Sequence, residues 1–445
     1  MIDWSSDRIG GILGVRVPAD RHFRGVSTDT RTIGEGDLFV ALLGDRFDGH
    51  AFLVEAAARG ARGAVVRAGT PVPDGLVAFA VPDTLDALGA LARARRREIG
   101  GPVVAVTGTN GKTATKEMLA RVVGCRWRVH ATRGNLNNLV GVPLTILGAP
   151  ATAEALVVEA GASVPGEIAR LRAIIEPTVG VITNVSPGHL EGFGSLEGVL
   201  AEKLSLLAGV PLAVVGGSPP DLGVRARQTA RRVLVAGTAA HADVQPTAWA
   251  LDGSGRAALS FGDVQVRLPL VGRHQVENAA LALAVAGALD IPLPEAAGAL
   301  AGITLPPGRC EVLRRGDLIV LHDAYNANPG SIAASLATAQ AMSDDRPLVV
   351  ALGSMLELGP DSPLLHAEVA QRVMQAGPAL IAVTGLFVEA FARWAGELGD
   401  RLIAADDAAT LGERLAARLR GNEFVLLKAS RGVRLERAIP FLLPE

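Results

Sequence analysis

Short apolar runs alternate with stretches of helical periodicity along most of the chain. In the first block, up to about residue 83, runs such as 63–67 are separated by turns rich in Gly and Asp, a pattern typical of strands. Asp83 then provides an N-cap for a helix that carries Leu85, Leu88 and Leu91 on one face. We predict that this helix joins the first block to the second.

The second block contains β-branched apolar runs with helical stretches between several of them. The runs occupy residues 102–107, 155–159, 179–184 and 211–215. This alternation indicates βαβ units and a largely parallel sheet. From about residue 225 to 270 the pattern changes to short alternating segments, which predicts an antiparallel appendage to this sheet.

The third block repeats the alternation of apolar runs and helices. Its four strand-like runs are residues 318–322, 348–352, 380–384 and 424–428, which favours a Rossmann-like, doubly wound layout. The predicted fold is therefore α/β with three domains. Their expected bounds are 1–83 for an N-terminal α/β domain, 84–310 for a central domain with a mostly parallel sheet, and 311–445 for the C-terminal Rossmann-like domain.

Composition excludes several classes of function. The 43 basic and 45 acidic residues nearly cancel, so no broad field favours nucleic acid or an anionic membrane. The first residues lack a cationic segment followed by an apolar run, so we expect no signal peptide. Cys125 and Cys310 offer neither metal-ligand spacing nor a disulfide framework. The expected location is the cytoplasm, with neither nucleic acid nor membrane as a partner.

Residues 102–113 read as a strand, a glycine loop and the start of a helix. Such a loop turns backbone N–H groups toward phosphate oxygens. Lys112 could then neutralise the β- and γ-phosphates, and the Thr113 hydroxyl could hold Mg²⁺. Strict P-loop spacing fails, because Val106 occupies the position of the first glycine. The alternative is a glycine turn that caps a helix beside a solvated Lys112, but the convincing helix start favours a phosphate site. The predicted ATP contacts of this segment are Gly108, Thr109, Asn110, Gly111, Lys112, Thr113 and Ala114.

The segment T-G-T-N-G-K-T resembles the shortened phosphate loop of the Mur ligase and folylpolyglutamate synthetase superfamily. Further segments resemble the Mur ligase branch that adds D-alanyl-D-alanine, and they are 134–145, 159–168, 182–194, 323–331 and 428–432. Residues 27–31, 36–42 and 48–50 look like that family's N-terminal nucleotide-sugar domain. The resemblance covers nearly the whole chain in the right order. It implies a UDP-sugar-binding first domain and a P-loop-type ATPase as the central domain.

The resemblance also implies a reaction. ATP would convert the terminal carboxylate of UDP-N-acetylmuramoyl-tripeptide to an acyl phosphate, and the amine of D-Ala-D-Ala would then displace phosphate. Both reacting groups are anionic, so cations must bring them together. The expected cofactors are ATP and Mg²⁺ at two sites. The expected partners are these two small substrates, bound by a monomer in a cytoplasmic step of peptidoglycan precursor synthesis.

By this resemblance the catalytic residues are Lys112, Glu159, His189 and Lys203. Thr113 and Glu159 would hold the Mg²⁺ that bridges the β- and γ-phosphates, and His189 would help to hold the second. Lys203 would be carbamylated, which replaces a repelling ammonium by an oxygen ligand suited to Mg²⁺. Each has a structural alternative. Glu159 could form a buried ion pair, His189 could donate to backbone, and Lys203 could be a solvated lysine on a helix over 196–207.

The same resemblance assigns the remaining contacts. Asn278 would read adenine, Arg309 would reach the ATP phosphates, and Asp323 would lie near the ribose and the hinge. The UDP-substrate would contact Ser27, Thr28, Arg31, Asn135 and Asn137, and the dipeptide would contact Asn326 and Asn328. All of these residues could instead be ordinary caps and turns.

Three positions depart from the family pattern; the first two put local contacts in doubt, and the third weakens the alignment around Lys203. Gln275 stands where the family usually has Asn, Ser354 stands where the D-Ala-D-Ala-adding branch commonly has Asp, and Lys203 is not followed by Gly-Glu. The nearest rival is another ligase of the superfamily, and a rival of another class is a non-catalytic nucleotide-binding scaffold. The segment 323–331 favours the D-Ala-D-Ala branch. Retention of Lys112, Glu159, His189 and Lys203 together argues against a scaffold.

Overall fold

A computed structural model describes residues 4–17, 20–44 and 47–444. The chain divides into two units that interleave in sequence. The first takes the described residues up to 106 together with 126–162 and 166–180, and the second takes 107–125, 163–165 and the described residues from 181 onward. The predicted α/β class with mostly parallel sheets is confirmed. The bounds of the three predicted domains stay a prediction.

The N-terminal block forms a small sheet with helices. Its elements are α1 (Ser6–Leu13), β1 (Val26–Ser27), β2 (Leu38–Val40), β3 (Leu43–Gly44), β4 (Phe47–Asp48), α2 (Leu53–Ala58), β5 (Gly63–Arg67), β6 (Val77–Val81) and α3 (Thr84–Arg96). Strands β1, β2, β5 and β6 lie side by side in that order and run parallel. The carboxylate of Asp83 accepts from the N–H groups of Leu85 at 2.7 Å and Asp86 at 3.0 Å, so the predicted N-cap of α3 is confirmed.

The central block is larger. Its elements are β7 (Val103–Thr107), α4 (Lys112–Val123), β8 (Val129–Ala131), α5 (Gly141–Leu147), β9 (Ala155–Glu159), α6 (Glu167–Ile175), β10 (Val179–Ile182), α7 (Leu190–Phe193), α8 (Leu196–Leu204), β11 (Leu212–Gly216), α9 (Leu222–Ala226), β12 (Arg232–Ala236), β13 (Ala248–Leu251), β14 (Arg256–Phe261), β15 (Val264–Val271), α10 (His274–Ala288) and α11 (Leu293–Leu300).

One sheet of this block has the strand order β12-β11-β10-β7-β9-β8. Strands β7, β9 and β11 are buried along their whole length, which explains their unbroken apolar sequences. Strands β13, β14 and β15 form a separate antiparallel sheet, so the antiparallel prediction holds from Ala248 onward. It was wrong for β12, which pairs parallel with β11; its first residues are partly exposed and gave no continuous apolar run.

The C-terminal block is doubly wound. Its elements are β16 (Glu311–Arg315), β17 (Leu318–His322), α12 (Pro329–Ser343), β18 (Leu348–Leu352), α13 (Ser362–Ala376), β19 (Leu380–Thr384), α14 (Leu386–Phe391), α15 (Ala395–Leu398), β20 (Leu402–Ala405), α16 (Ala408–Ala416), β21 (Phe424–Lys428) and α17 (Ile439–Leu442). The strand order is β16-β17-β21-β18-β19-β20, parallel except for β16. The four predicted strands are confirmed over the same residues.

Strand β21 shows how this sheet is buried. Phe424 and Leu426 enter the apolar cluster on one face, while Val425 and Leu427 enter the cluster on the other, as the two-residue period of a strand requires.

No helix in the described part of the chain is both long and apolar enough to cross a membrane. Single 3-10 turns complete the chain at Gly49–Phe52, Ser205–Leu207, Gly359–Asp361, Ala392–Trp394, Gly399–Arg401, Arg431–Val433 and Leu435–Ala438.

The position of Leu426 gives a test of this core. Leu426 has no exposed surface and lies on β21 between β17 and β18. Leu426→Ala should lower the free energy of unfolding by about 2–5 kcal/mol, because the lost side chain leaves a cavity. Leu364→Ala is the matched control, since Leu364 on α13 is 61% exposed and should change stability by less than about 0.5 kcal/mol. Urea unfolding of both variants measures the difference, and equal midpoints would contradict this packing.

Candidate active site

The phosphate loop follows β7 and ends where α4 begins at Lys112. Gly108 and Gly111 have φ angles of 137° and 79°, which residues with a β-carbon rarely adopt. A β-carbon would lie 2.0 Å from Thr183 Oγ1 at Gly108 and 2.5 Å from Asn278 Oδ1 at Gly111. Both glycines are therefore required by conformation and by close packing.

Lys112 closes this loop from the helix side. Its ammonium group donates to the carbonyls of Gly108 at 2.9 Å and Thr109 at 3.1 Å, so the interpretation as a solvated lysine is wrong. Thr113 and Ala114 occupy the first turn of α4 and are buried. The helix N-terminus and the ammonium group thus bring positive charge to one small loop, which suits an anion such as a phosphate.

The segment after β10 holds the loop in place. Thr183 Oγ1 and Asn184 Nδ2 both donate to the carbonyl of Asn110, at 2.6 and 3.0 Å. The N–H of Thr109 donates to the Asn184 carbonyl at 2.9 Å, and Thr109 Oγ1 donates to the carbonyl of Ser186 at 3.1 Å. Sequence reasoning missed Thr183 and Asn184 as supports of the loop, although both lie in the family-like segment 182–194.

The loop also meets the segment predicted to face the dipeptide. Asn328 Nδ2 donates to Asn110 Oδ1 at 2.7 Å, and Asn110 Nδ2 donates back to Asn328 Oδ1 at 3.3 Å. Asn328 is at the same time the N-cap of α12, where its Oδ1 accepts from the Ser331 N–H at 2.8 Å. Its alternative role as a cap is therefore real, and it coexists with the contact to the phosphate loop.

Glu159 ends β9 as a buried carboxylate. It is in register with Val106 of β7, and Asn137 Nδ2 donates to its Oε1 at 2.8 Å. The Glu159 N–H donates to Thr132 Oγ1 at 3.0 Å. The structure thus joins two of the predicted site residues, Glu159 and Asn137. Asn135, two residues before Asn137, is exposed, and its carbonyl accepts from the Asn137 N–H at 2.8 Å.

His189 and Lys203 lie on consecutive elements. His189 precedes α7, and its Nδ1 lies against the Glu357 carboxylate. This contact holds the pKa of Glu357 below its usual value, although partial burial opposes the shift. Lys203 on α8 is only 1% exposed, and its ammonium lies 5.4 Å from the centre of the Phe193 ring. The interpretation as a solvated lysine is therefore wrong for Lys203 as well.

Asn278 lies beneath the phosphate loop. It is buried, its Oδ1 accepts from Thr115 Oγ1 at 3.2 Å, and its Nδ2 donates to Gln275 Oε1 at 3.0 Å. Gln275, which departs from the family pattern, is thus a direct partner of Asn278. Ser354, the second departure, accepts from the Leu386 N–H at 2.9 Å and so supports the start of α14.

Asp323 lies at the end of β17 within a buried polar cluster. Lys428 Nζ is 2.7 Å from its Oδ2, Ser335 Oγ donates to the same oxygen at 2.5 Å, and the Cys310 N–H donates to Oδ1 at 3.0 Å. Burial alone would raise the pKa of Asp323, but Lys428 and Ser335 hold it below its ordinary value. Sequence reasoning missed this pairing with Lys428, because the two residues come from the ends of separate strands.

Arg309 and Asn326 lie close to the same cluster. The Arg309 guanidinium is 3.9 Å from the centre of the Tyr325 ring, and that of Arg431 is 5.7 Å from it. The Asn326 carbonyl accepts from Lys428 Nζ at 2.6 Å. Lys428 therefore ties the segment 323–326 to the end of β21.

Three of the predicted UDP contacts, Ser27, Thr28 and Arg31, lie at the end of β1 and on the turn that follows it. Ser27 Oγ donates to the Asp29 carbonyl at 3.1 Å, and Thr28 lies between these two residues. Arg31 pairs with the Asp29 carboxylate at 2.6 Å, and this contact lowers the pKa of Asp29 to about 2. Among the described residues, no three His, Cys, Asp or Glu side chains are grouped as a metal-binding cluster.

Comparison with known proteins identifies the family. Three family models match in order: the Mur ligase family catalytic domain over 22–96, the Mur ligase middle domain over 106–286, and the Mur ligase glutamate ligase domain over 308–431. The UDP-N-acetylmuramoyl-tripeptide–D-alanyl-D-alanine ligase of Bacillus subtilis (strain 168) is 33% identical over 94% of this chain and 93% of its own length.

Solved structures agree with these matches. A crystal structure of MurF from Acinetobacter baumannii covers 100% of both chains with a TM-score of 0.90 and 28% identity. MurF ligase from Thermotoga maritima in complex with ADP covers 94% of this chain and 97% of its own, with a TM-score of 0.83 and 30% identity. Because the similarity extends over almost the whole chain in sequence and in structure, this chain belongs to the Mur ligase family.

Proposed function

We propose that this chain ligates D-Ala-D-Ala to the terminal carboxylate of UDP-N-acetylmuramoyl-tripeptide, with conversion of ATP to ADP and phosphate. The observation that carries the proposal is the amide pair between Asn110 and Asn328. It joins a phosphate loop to the segment that distinguishes the dipeptide-adding branch. The relative named as a ligase for these two substrates and the structural neighbour in complex with ADP support this proposal. The reaction would be a cytoplasmic step of peptidoglycan precursor synthesis, performed by a monomer.

The chemistry has two steps. The tripeptide carboxylate attacks the γ-phosphorus of ATP, ADP leaves, and an acyl phosphate forms. The amine of D-Ala-D-Ala then attacks the carbonyl carbon, the C–O bond to phosphate breaks, and the nitrogen loses a proton. Lys112 lies inside the curl of the loop, where its charge can face the β- and γ-phosphates. A fixed charge of this kind stabilises the transferring group without reorganisation.

The proposed metal ligands suit Mg²⁺. Thr113 and Glu159 are buried oxygen donors, and Mg²⁺ is usually held by one or two carboxylates together with phosphate oxygens and water. A cluster of three acidic or histidine ligands is therefore not required. We propose Thr113 and Glu159 as ligands of the first cation, and His189 with carbamylated Lys203 as ligands of the second. Bound Mg²⁺ would neutralise charge on the phosphates and the substrate carboxylate.

The other contacts remain proposals of the same kind. For the nucleotide, Asn278 would read adenine and Arg309 would reach the phosphates, while Asp323 would approach the ribose. Both carboxylate oxygens of Asp323 already have partners, so a ribose contact would add to these bonds or replace them. The UDP-substrate would be held by Ser27, Thr28, Arg31, Asn135 and Asn137, and the dipeptide by Asn326 and Asn328.

The choice of acceptor tests the proposed reaction. With ATP, Mg²⁺ and UDP-N-acetylmuramoyl-tripeptide present, D-Ala-D-Ala should support the fastest release of phosphate, because its amine completes the amide. Single L-amino acids and glutamate should be poor acceptors. Phosphate release measured with each acceptor checks this. A preference for glutamate or a free L-amino acid would place the chain in another branch of the family.

Lys112→Ala tests the phosphate loop. The substitution removes the ammonium group but leaves the glycine backbone and the N-terminus of α4 in place. Turnover should fall by about two or more orders of magnitude, as for other preorganised charges. Arg121→Ala is the control, since Arg121 is exposed near the other end of α4 and its loss should leave turnover near the parent rate. Near-normal ligation by a folded Lys112→Ala variant would show that ATP binds elsewhere.

Lys203→Ala tests the carbamate. If a carbamylated Lys203 supplies oxygen ligands, the variant should lose activity, and acetate should restore part of it by filling the vacated position. Ligation measured with and without acetate checks this. Glu202→Ala changes the neighbouring residue of α8 and should show no rescue by acetate. A Lys203→Ala variant as active as the parent without any acid would exclude the carbamate.

A further inference from the structure

The loop between β18 and α13 touches the segment that carries His189. The Glu357 carboxylate lies against His189 Nδ1, and the Glu191 N–H donates to the Glu357 carbonyl at 3.2 Å. A β-carbon on Gly359 would lie 3.1 Å from Glu191 Cα. The contact therefore involves backbone as well as side chains. It brings the Glu357 carboxylate of the C-terminal block against the His189 imidazole of the central block.

Both partners have an unusual backbone conformation. The φ angles of His189 and Glu357 are 54° and 63°, in the left-handed region that residues with a β-carbon seldom adopt. Such conformations persist where the surroundings hold them, and they concentrate at functional sites. In this contact, His189 and Glu357 face each other and both have left-handed backbone conformations. This points to a role beyond an ordinary surface contact.

The loop that carries Glu357 is held by hydrogen bonds to three other segments, two of them through side chains of those segments and one through the loop's own Ser354. The N–H of Met355 donates to His366 Nε2 at 2.9 Å, and the N–H of Leu356 donates to Ser430 Oγ at 2.9 Å. Ser354 Oγ is bound to the N–H of Leu386 at 2.9 Å. The peptide groups immediately before Glu357 are thus already used, so its carboxylate is presented from a preorganised loop.

We propose that Glu357 is a positioning residue for the cation site, which rests on the proposed role of His189 as a Mg²⁺ ligand. The carboxylate accepts the Nδ1 proton of His189 and thereby fixes the tautomer in which Nε2 carries the free electron pair. Metal-binding histidines depend on such a partner for tautomer and ring orientation. His189 Nδ1 is buried and has no hydrogen bond of regular geometry among the described residues, and the Glu357 carboxylate is the acidic group that lies against it. The C-terminal block therefore completes a ligand of the central block.

The first measurement needs neither metal nor nucleotide. In protein labelled with ¹⁵N-histidine, at a pH well above the ordinary histidine pKa, the ring ¹⁵N shifts report which nitrogen carries the proton. His189→Gln assigns the signals. The parent should show the Nδ1–H tautomer at His189, and Glu357→Gly should shift it toward Nε2–H. Glycine tolerates the left-handed backbone at this position, so the variant removes the carboxylate without opposing the fold.

Asp361→Asn is the matched control. Asp361 is exposed in the 3-10 turn that follows the same loop, so this variant removes a nearby negative charge without touching His189. It should leave the tautomer unchanged. A tautomer that stays the same in Glu357→Gly would overturn the inference, and so would an equal shift in Asp361→Asn.

The second measurement uses Mn²⁺ as the probe with a non-hydrolysable ATP analogue, and free Mn²⁺ is followed by electron paramagnetic resonance. Glu357→Gly should weaken the affected Mn²⁺ site about 10- to 100-fold, as for other partners of metal-binding histidines, and Asp361→Asn should not weaken it. If His189→Gln leaves Mn²⁺ binding unchanged, the proposed metal role of His189 fails. If His189→Gln weakens binding but Glu357→Gly does not, only the positioning role fails.

Discussion

At Gly108 the backbone leaves β7 with a φ of 137° and passes so close to Thr183 that no β-carbon fits between them. This close approach lets Thr183 and Asn184 hold the carbonyl of Asn110, and it turns the loop back toward the N-terminus of α4. The position of Lys112 follows from that turn, because its ammonium group reaches the loop carbonyls only when the loop is curled. A curled loop of this kind at a helix N-terminus suits an anionic phosphate group.

The segment from Thr183 to Glu191 connects two parts of the proposed site. Its first residues support the phosphate loop, and His189 near its end meets Glu357. The C-terminal block approaches the same region from Asn328, which pairs with Asn110. Two polar contacts from separate loops of the C-terminal block therefore bear on the phosphate loop, at Asn110, and on the segment that supports it, at His189. A ligase that must bring a phosphoryl donor and an amine together gains from such shared support, because misplacement of reacting groups slows the reaction.

The buried pair of Asp323 and Lys428 supports the ends of β17 and β21. Removing two charges from water is costly, and the cost is offset only when good geometry and further hydrogen bonds satisfy both groups. Here the carboxylate has Ser335 and the Cys310 N–H, and the ammonium has the Asn326 carbonyl. Loss of either partner would leave an uncompensated charge inside the C-terminal block. The pair thus fixes the strand ends from which Asn326 and Asn328 extend.

The sequence by itself determined the buried strands, the N-cap of α3 and the glycine loop between β7 and α4, because each depends on neighbours in the chain. Residues 318–322 and 424–428 form unbroken apolar runs, and such runs mark strands covered on both faces. The half-exposed edge strand β16 carries no such run. Only the tertiary structure decided the parallel pairing of β12, the burial of Lys203 and the contact of Glu357 with His189. These features depend on segments that are distant in the chain. Local periodicity does not specify which distant residue a side chain will contact.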